Sequence, residues 1–325
     1  MLDRLGRKIN YLRLSITDRC DLRCKYCMPL KTDFYKKSDF LSLEQLKTIT
    51  LVLNKIGINK IRITGGEPLV RNDIIDYLKF LFMQKKSGKI SEILITTNGT
   101  QLLNYAKYLS LYGVDRINVS LDSLIKEKYF FITNGGNLSK VLSGIFEARK
   151  QGLKIKINTV LLKNFNDDEI EKIVFWCSRN KFSLSFIEVM PVGDLEQSRQ
   201  KQFMPVQIAK DTIKKKYGLT PINYKTNGPS RYFKTNLFNS KIGFISPISK
   251  NFCKTCNRIR ITSSGIFYGC LGHDSSFDIK PYLSKNKIKD LENMLIKGIY
   301  EKPERHFFNI NDYSSVSRFM NTTGG

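Results

Sequence analysis

No stretch of the 325-residue chain approaches the roughly 18 consecutive apolar residues of a membrane-spanning helix. The opening MLDRLGRKINYLRLSITDRC also contains no apolar run of signal-peptide length. Both absences point to a cytoplasmic protein that makes no use of a membrane. No internal repeat or low-complexity linker interrupts the chain. Acidic residues are scarce: 29 Asp and Glu stand against 54 Lys and Arg, a formal charge of +25. Such a surplus attracts anions, nucleotides included. Much of it is Lys scattered beside Ile and Asn in stretches such as KNKIKD. Compositional drift explains that pattern better than a nucleic-acid stripe, so a nucleic-acid partner is disfavoured.

A disulfide framework is missing as well. The seven cysteines are an odd number, and six form two tight groups, Cys20/Cys24/Cys27 and Cys253/Cys256/Cys270. In a reducing compartment such clustering favours metal ligation. Cys177 stands alone in the apolar run IVFWC and reads as core packing. With 41% hydrophobic and 11% aromatic residues, the chain suffices for one large domain, alone or with a smaller appendage.

Short alternating segments at 11–17, 60–64, 92–97, 116–121, 154–158 and 183–190 recur between amphipathic helical ones. Strand then helix, six times, predicts an α/β fold with a parallel barrel. Ser42 with Gln45 forms a capping box, Gly57 stops that helix, and Asn72 and Asn166 are placed to start two others. Period-two reading puts Leu12, Leu14 and Ile16 opposite Arg13, Ser15 and Thr17; Ile61 and Ile63 oppose Arg62 and Thr64, and Ile155 and Ile157 oppose Lys156 and Asn158. One face is repeatedly polar. A closed eight-stranded barrel packs its lumen with branched apolar side chains. A polar face therefore predicts an incomplete (βα)6 barrel of the triosephosphate-isomerase type, open enough for a polar ligand. The alternative, polar faces turned to solvent, ranks second because helices should cover the outside. Beyond about residue 220 the rhythm fades into GPSRYFKTNLFNSKIGFIS, so residues 1–220 read as the barrel and 221–325 as a C-terminal extension.

Cys20-Asp-Leu-Arg-Cys24-Lys-Tyr-Cys27 lies in the loop after the first strand, where barrel active sites form. Three thiolates hold three irons of a [4Fe-4S] cube and leave the fourth open, whereas structural zinc normally takes four protein ligands. Gly65-Gly66-Glu67-Pro68 follows the second strand, offering close backbone approach and a carboxylate suited to an ammonium. The cysteine spacing, with Tyr26 before its last member, resembles the radical S-adenosylmethionine superfamily. That resemblance implies an open iron that chelates S-adenosylmethionine, and a 5'-deoxyadenosyl radical formed by its reductive cleavage. Tyr26, Gly66, Ser120 and Met190 then fall on cofactor-contacting positions.

The second group, Cys253-x2-Cys256-x13-Cys270, leaves two options open: a second cluster, or a Cys3His zinc site completed by His273. The text around it, GFISPISKNFCKTCNRIRITSSGIFYGCL, resembles the GTP 3',8-cyclase family. So do YLRLSITDRCDLRCKYCMP, RITGGEPLVR, TTNGT, VSLD, KINTV, FIEVMPVG and GLTP, across nearly the whole chain. The resemblance implies two [4Fe-4S] clusters, the second in the extension with an open iron facing the base of GTP. It places Arg13, Arg62, Thr96, Lys156, Arg258, Ile259 and Arg260 on substrate-contacting positions, and Gly324-Gly325 on a tail that acts in catalysis. Cations are what a triphosphate requires, and Arg13, Arg62 and Lys156 already share the polar faces.

The implied activity is a lyase-type radical cyclisation of GTP to 3',8-cyclo-7,8-dihydro-GTP, the first step of molybdenum cofactor biosynthesis. The ribose C3' loses a hydrogen and bonds guanine C8. The implied partners are an electron donor and cyclic pyranopterin monophosphate synthase as the next enzyme; a homodimer is admitted but not specified. Two other readings use the same cysteines: a radical enzyme with an auxiliary cluster acting on a peptide or tRNA, and a zinc protein binding nucleic acid. Ser230, where relatives are expected to carry Ala, and CLGHDSSFDIK depart from the pattern near the end of the substrate pocket.

Overall fold

Strands rich in Ile and Val alternate with amphipathic helices, and each of the six expected strands forms. They are β1 (Tyr11–Ser15), β2 (Lys60–Thr64), β3 (Glu92–Thr97), β4 (Arg116–Ser120), β5 (Ile155–Leu161) and β6 (Ser183–Glu188). Shorter strands follow: β7 (Thr220–Pro221), β8 (Arg231–Lys234), β9 (Ile242–Ile245), β10 (Arg258–Ile261), β11 (Ile266–Tyr268) and β12 (Ser276–Asp278). The helices are α1 (Leu43–Lys55), α2 (Ile74–Lys86), α3 (Leu102–Leu111), α4 (Lys126–Thr133), α5 (Leu138–Lys150) and α6 (Ile170–Arg179). After them come α7 (Arg199–Gln202), α8 (Val206–Tyr217), α9 (Ile288–Tyr300) and α10 (Met320–Thr323). The computed structural model describes residues 1–193, 199–226, 228–237, 240–311 and 316–324.

All the strands belong to one twelve-stranded sheet in the order β12-β11-β10-β1-β2-β3-β4-β5-β6-β9-β8-β7. The central eight, from β10 through β9, are parallel; β11 with β12 and β7 with β8 add antiparallel margins. The chain after residue 220 therefore extends both edges of the six-stranded sheet, placing β9 beside β6 and β10 beside β1. Residues 246–257 run from one edge to the other.

Strand parity decides which face meets the helices. Leu12, Leu14, Ile61, Ile63, Ile117, Val119 and Ile157 are buried in one core cluster with Leu46, Ile49, Leu78, Ile145 and Ile173 of the helices. Each such side chain contributes roughly 1.5–3 kcal/mol, and a one-residue slip would turn the whole set over to the polar side. Cys177 belongs to this core, 1% exposed.

Local signals fare unevenly. Ser42 and Gln45 make the expected reciprocal capping box at α1, with Gln45 N donating to Ser42 Oγ at 3.2 Å and Ser42 N to Gln45 Oε1 at 2.9 Å. Asn72 does not cap α2, because the helix begins one residue later, after Asp73. Asn166 is not a helix cap either: fully buried, it donates to the carbonyls of Asp122 and Val160 and accepts from Leu162 N, while a 3-10 turn at Asp167–Glu169 leads into α6. Its amide satisfies buried main chain at the ends of adjacent strands, a stronger demand than an exposed helix start.

Glu188 closes β6 and fastens the crossing segment to it. The fully buried carboxylate accepts from Val206 N at 3.2 Å, from Ile248 N and Ser249 N at 3.0 Å each, and from the Ser249 hydroxyl. Glu188→Ala strands one buried main-chain donor, at about 1–3 kcal/mol, and two part-buried ones that water can reach. The expected loss is about 1–3 kcal/mol in a denaturant titration of the intact chain, and a change under about 0.5 kcal/mol would refute the anchoring role.

Candidate active site

Two cysteine groups face each other along the sheet axis. Cys20, Cys24 and Cys27 follow the C-terminal end of β1, whereas Cys253 and Cys256 precede β10, which runs parallel beside β1. The groups thus lie at opposite ends of the strands, with the polar strand face between them.

The first loop is held from several directions. Cys27 N and Met28 N donate to the Cys24 carbonyl at 2.8 and 3.3 Å, folding the three thiols into one turn. Asn98 Nδ2 lies 3.6 Å from Cys20 Sγ and 2.7 Å from Asp21 Oδ1, while Thr100 Oγ1 donates to Asp21 Oδ2 at 2.6 Å. Tyr26 Oη donates to Asp122 Oδ2 at 2.6 Å, and its carbonyl accepts from Arg199 at 2.8 Å. Burial pushes the Asp122 carboxyl up to about 6 against the pull of that Tyr26 bond. Burial also pushes the thiols up, Cys20 to about 12 and Cys27 to about 11. Such thiols become ligands only when a cationic centre takes the proton's place.

The Gly65–Pro68 loop packs against this turn. Gly66 N donates to the Thr17 carbonyl at 2.8 Å, and a Cβ on Gly66 would sit 2.5 Å from the Asp18 carbonyl oxygen, so only glycine fits. The expected task of the Glu67 side chain needs correction. Its carboxylate is fully buried and accepts from Leu69 N at 3.0 Å, Thr97 Oγ1 at 2.8 Å and Asn98 N at 2.7 Å. It is occupied with joining this loop to the end of β3, and burial, opposed by those bonds, pushes it up to about 7. Ser120 ends β4 opposite Asn158, and Met190 follows β6 at the wall of the central cavity.

That cavity, about 160 Å3, is lined by seven cations: Arg13, Arg62, Arg116, Lys156, Arg258, Arg260 and Lys302. No Asp or Glu lines it among the described residues. Thr96, Met190, Cys253, Cys256 and Cys270 share the wall. Arg62 is braced by Tyr11 Oη at 2.5 Å, the Ile95 carbonyl at 3.0 Å and Thr96 Oγ1 at 3.2 Å. Lys156 Nζ is 2.9 Å from Tyr232 Oη. Burial raises the Tyr232 phenol, but the Lys156 ammonium prevails and brings it to about 8. Burial, with Arg258 beside it, pushes Arg260 down to about 9, and burial together with Arg260 holds Arg13 well below the arginine range. Arg13 Nε, Arg116 Nε, Asn118 Oδ1 and Asn158 Oδ1 are buried without hydrogen-bond partners. Concentrated positive charge with orphaned guanidinium N–H donors suits an anion, while the two amide oxygens are left for N–H or O–H donors of a ligand.

Ile259 is the one expected substrate residue whose side chain points away. It is fully buried in the apolar core, since β10 alternates Arg258 and Arg260 inward with Ile259 and Ile261 outward. Only its main chain is available for a ligand. Sequence reading passed over Tyr11 and Arg116, although both share strand parity with residues it named, Arg13 and Ser120. It also missed Tyr232 and Lys302, which follow no periodic signal.

The second cysteine turn is tight, with Cys256 N donating to the Cys253 carbonyl at 3.1 Å and Arg258 3.7 Å from Cys256 Sγ. Burial raises the Cys256 thiol, but Arg258 and then Lys302 outweigh it and bring it to about 6. His273 does not join this group: its Nδ1 meets Ser275 Oγ at 2.9 Å and its ring packs on Phe307. The cavity wall beside these cysteines carries His306 instead. Among the described residues no three His, Cys, Asp or Glu side chains converge on a single metal ion. All seven cysteines are free thiols. Three unpaired thiols in each group fit the ligand chemistry of an iron-sulfur cluster, which spreads its ligands over separate irons.

The tail reaches the same cavity. Arg260 donates to the Gly324 carbonyl at 2.6 Å and to that of Thr323 at 3.3 Å, and Asn321 Nδ2 donates to the Asp18 carbonyl at 3.0 Å. Gly324 has φ +72°, and a Cβ there would collide with the Thr64 side chain. Met320–Thr323 form a helical turn rather than an extended run, closed by Gly324 N on the Met320 carbonyl at 2.9 Å. Gly325 lies outside the described residues.

Residues 14–177 match the model of the radical SAM superfamily, and residues 182–308 match that of Molybdenum Cofactor Synthesis C. The GTP 3',8-cyclase of Nitrobacter winogradskyi is 42% identical over 328 residues, covering 100% of this chain and 96% of that protein. The GTP 3',8-cyclase of Mesorhizobium japonicum is 42% identical over 329 residues, covering 100% and 99%. Among solved structures, Streptococcus suis SuiB bound to S-adenosylmethionine superposes with a TM-score of 0.63 at 17% identity, over 90% of this chain and 66% of that one. SuiB bound to its precursor peptide SuiA gives 0.65 at 17%, over 91% and 67%. The structural likeness carries the α/β fold, the sequence likeness carries more, and the chain belongs to the GTP 3',8-cyclase family of radical S-adenosylmethionine enzymes.

Proposed function

We propose that the chain cyclises GTP to 3',8-cyclo-7,8-dihydroguanosine 5'-triphosphate, the first step of molybdenum cofactor biosynthesis. The observation that carries this reading is the cavity itself: seven cations, no carboxylate among the described residues, and the second thiol triad in its wall. The sheet, with a polar ligand face and edges extended from β6 and β1, is read as an incomplete (βα)6 barrel, residues 1–220, capped by an extension, residues 221–325. Cys20, Cys24 and Cys27 would hold the cluster that works with S-adenosylmethionine, and Cys253, Cys256 and Cys270 a second [4Fe-4S] cluster. When bound, the first cluster supplies the electron that turns S-adenosylmethionine into a hydrogen-abstracting radical.

The chain's own residues then bind and orient. Gly66 keeps the main chain of its loop close to the cofactor, with Tyr26, Ser120 and Met190 around it. Arg13, Arg62, Lys156, Arg258 and Arg260 receive the triphosphate, with Thr96 and the main chain of Ile259 beside them. The Gly324-Gly325 tail would act in the cyclisation, with Gly324 held by Arg260 of the cavity wall. A one-electron donor, and cyclic pyranopterin monophosphate synthase as the next enzyme, complete the reading. Among the described residues no helix is long and apolar enough to cross a membrane.

The direct test is anaerobic incubation of the reconstituted enzyme with GTP, S-adenosylmethionine and reductant, followed by product mass analysis. Cys20→Ala should abolish formation of 5'-deoxyadenosine while leaving the second cluster's iron in place. Cys253→Ala should abolish the cyclised nucleotide and spare some deoxyadenosine. A product other than the cyclised nucleotide, or zinc at the second group, overturns the reading.

Because the cavity cations lack internal counter-charges, inorganic triphosphate alone should raise the melting temperature, an effect that fades with added salt. Arg258→Ala or Arg260→Ala should weaken GTP affinity roughly ten- to hundredfold, the scale of one charge-assisted contact of ~1.5–3 kcal/mol. Unchanged GTP binding in both variants would remove them from the substrate site.

Gly324→Ala places a side chain at a positive φ and against Thr64. Strain of about 1–2 kcal/mol plus the collision should dislodge the tail and lower the cyclisation rate roughly tenfold or more, with GTP affinity changed less. Equal rates in the variant and the parent would show that the tail has no part in the reaction.

A further inference from the structure

A fully buried ammonium group stands at the second thiol triad. Lys302, 1% exposed, follows α9 and lines the same cavity as Cys253, Cys256 and Cys270. Its Nζ donates to the carbonyl of Gly269, the residue before Cys270. Gly269 packs against it: a Cβ there would lie 3.5 Å from Lys302 Cα and 3.2 Å from Pro303 Cδ. From the other side Arg7 joins this segment to Cys253. Arg7 NH1 donates to the carbonyls of Cys253 at 3.1 Å and Glu304 at 2.9 Å, and NH2 to those of Lys302 at 3.2 Å and Pro303 at 2.8 Å. The segment carrying Lys302 is thereby fixed to the segments of two of the three cysteines.

The two cations differ in one respect. Arg7 brings its own carboxylate, with Nε 2.5 Å from Asp3 Oδ2. Lys302 faces a cavity in which no Asp or Glu appears among the described residues. Burying an ammonium without a counter-charge costs several kcal/mol, so the position calls for negative charge beside it, and the cysteine thiols of the second group share its wall. Three thiolates more than cancel the positive charge of a [4Fe-4S] core in either oxidation state, which leaves the assembly negative.

We propose that Lys302 is the built-in counter-ion of the second cluster, presented by the Arg7 clamp and the Gly269 carbonyl, and that its charge retains that cluster and raises its reduction potential. The proposal rests on the reading that Cys253, Cys256 and Cys270 hold a cluster. Lys302 is a positioning residue acting through the cluster, and the counter-ion role has a signature that packing alone does not produce. Replacing the ammonium with an apolar side chain of similar length strands the Gly269 carbonyl in both forms and removes a counter-charge from the loaded one alone. The loaded form should therefore lose more than the cluster-free form.

The experiment uses the full-length chain with Cys20, Cys24 and Cys27 replaced by Ala, so that the second cluster alone reports. Lys302→Met should shift its midpoint potential to more negative values in an electron paramagnetic resonance titration and speed iron loss to a chelator about tenfold, the scale of one charged contact. The melting temperature should fall further in the loaded chain than in the cluster-free chain. Lys302→Arg, which keeps the charge, should return the potential toward the parent's. An unshifted potential in Lys302→Met, or an equal fall of melting temperature in both forms, overturns the proposal. Absence of iron and sulfide from the parent background would instead sink the cluster assignment, and the counter-ion with it.

Discussion

Positive charge that the protein does not neutralise is the constraint on which the rest of the structure depends. Seven cations converge on one cavity of about 160 Å3, and no carboxylate lines it among the described residues. Like charges in so small a volume raise the energy of the empty fold, and the strain is visible where burial and Arg258 bring Arg260 down to about 9. Main-chain carbonyls and phenols carry part of the load. Arg62 leans on Tyr11 and Ile95, Lys156 on Tyr232, Arg260 on the tail. Neutral acceptors offset less than a carboxylate would, and that shortfall is what a polyanionic substrate can gain on binding.

Topology explains how cations so far apart in sequence meet. β10, β1 and β2 set Arg260, Arg13 and Arg62 side by side on one register level, and β3, β4 and β5 set Thr96, Asn118 and Lys156 side by side on another. The chain then returns along both edges, so residues 246–257 pass from β9 to β10 and deliver Cys253 and Cys256 to the end of the sheet opposite Cys20. Had the extension followed one edge only, β10 would not lie beside β1, and Arg260 would not share a level with Arg13. Glu188 matters for this reason, since its carboxylate binds the crossing segment at Ile248 and Ser249.

The sequence made legible what period two controls. Arg13, Arg62 and Lys156 sit where strand alternation put them, and the same rule applied to Tyr11 and Arg116 would have found both. The capping box at Ser42 was legible because its two bonds are local. Asn166 was misread because an Asn before an acidic helical stretch fits a cap, while its actual partners, the Asp122 and Val160 carbonyls, come from strand ends that only the folded chain brings near. Glu67 and His273 failed for a related reason. A carboxylate next to two glycines and a histidine three residues past a cysteine both fit ligand chemistry, yet each is taken up by neighbours that spacing does not reveal. Lys302 lies past the end of α9, and Tyr232 lies in the four-residue strand β8, too short for its alternation to give a signal.

Both chain ends are drawn into the same site, which bears on how the enzyme protects its reaction. Arg7 reaches Cys253 from the amino-terminal side, and Arg318 donates to the carbonyls of Leu271 and His273 while pairing with Asp274 at 2.7 Å from the carboxyl-terminal side. The loop that carries Cys270 is therefore held by the same segment that ends in Gly324. Arg260 adds a second link, because the guanidinium that binds the Gly324 carbonyl also lines the substrate cavity. Both tail contacts use Arg260 Nη1, and a guanidinium has five N–H donors, so a phosphate could join the Gly324 carbonyl on the same side chain. On the proposed reading substrate and tail would meet on Arg260, and a hydrogen-abstracting radical formed before both are seated would face a cavity still open to other reaction partners.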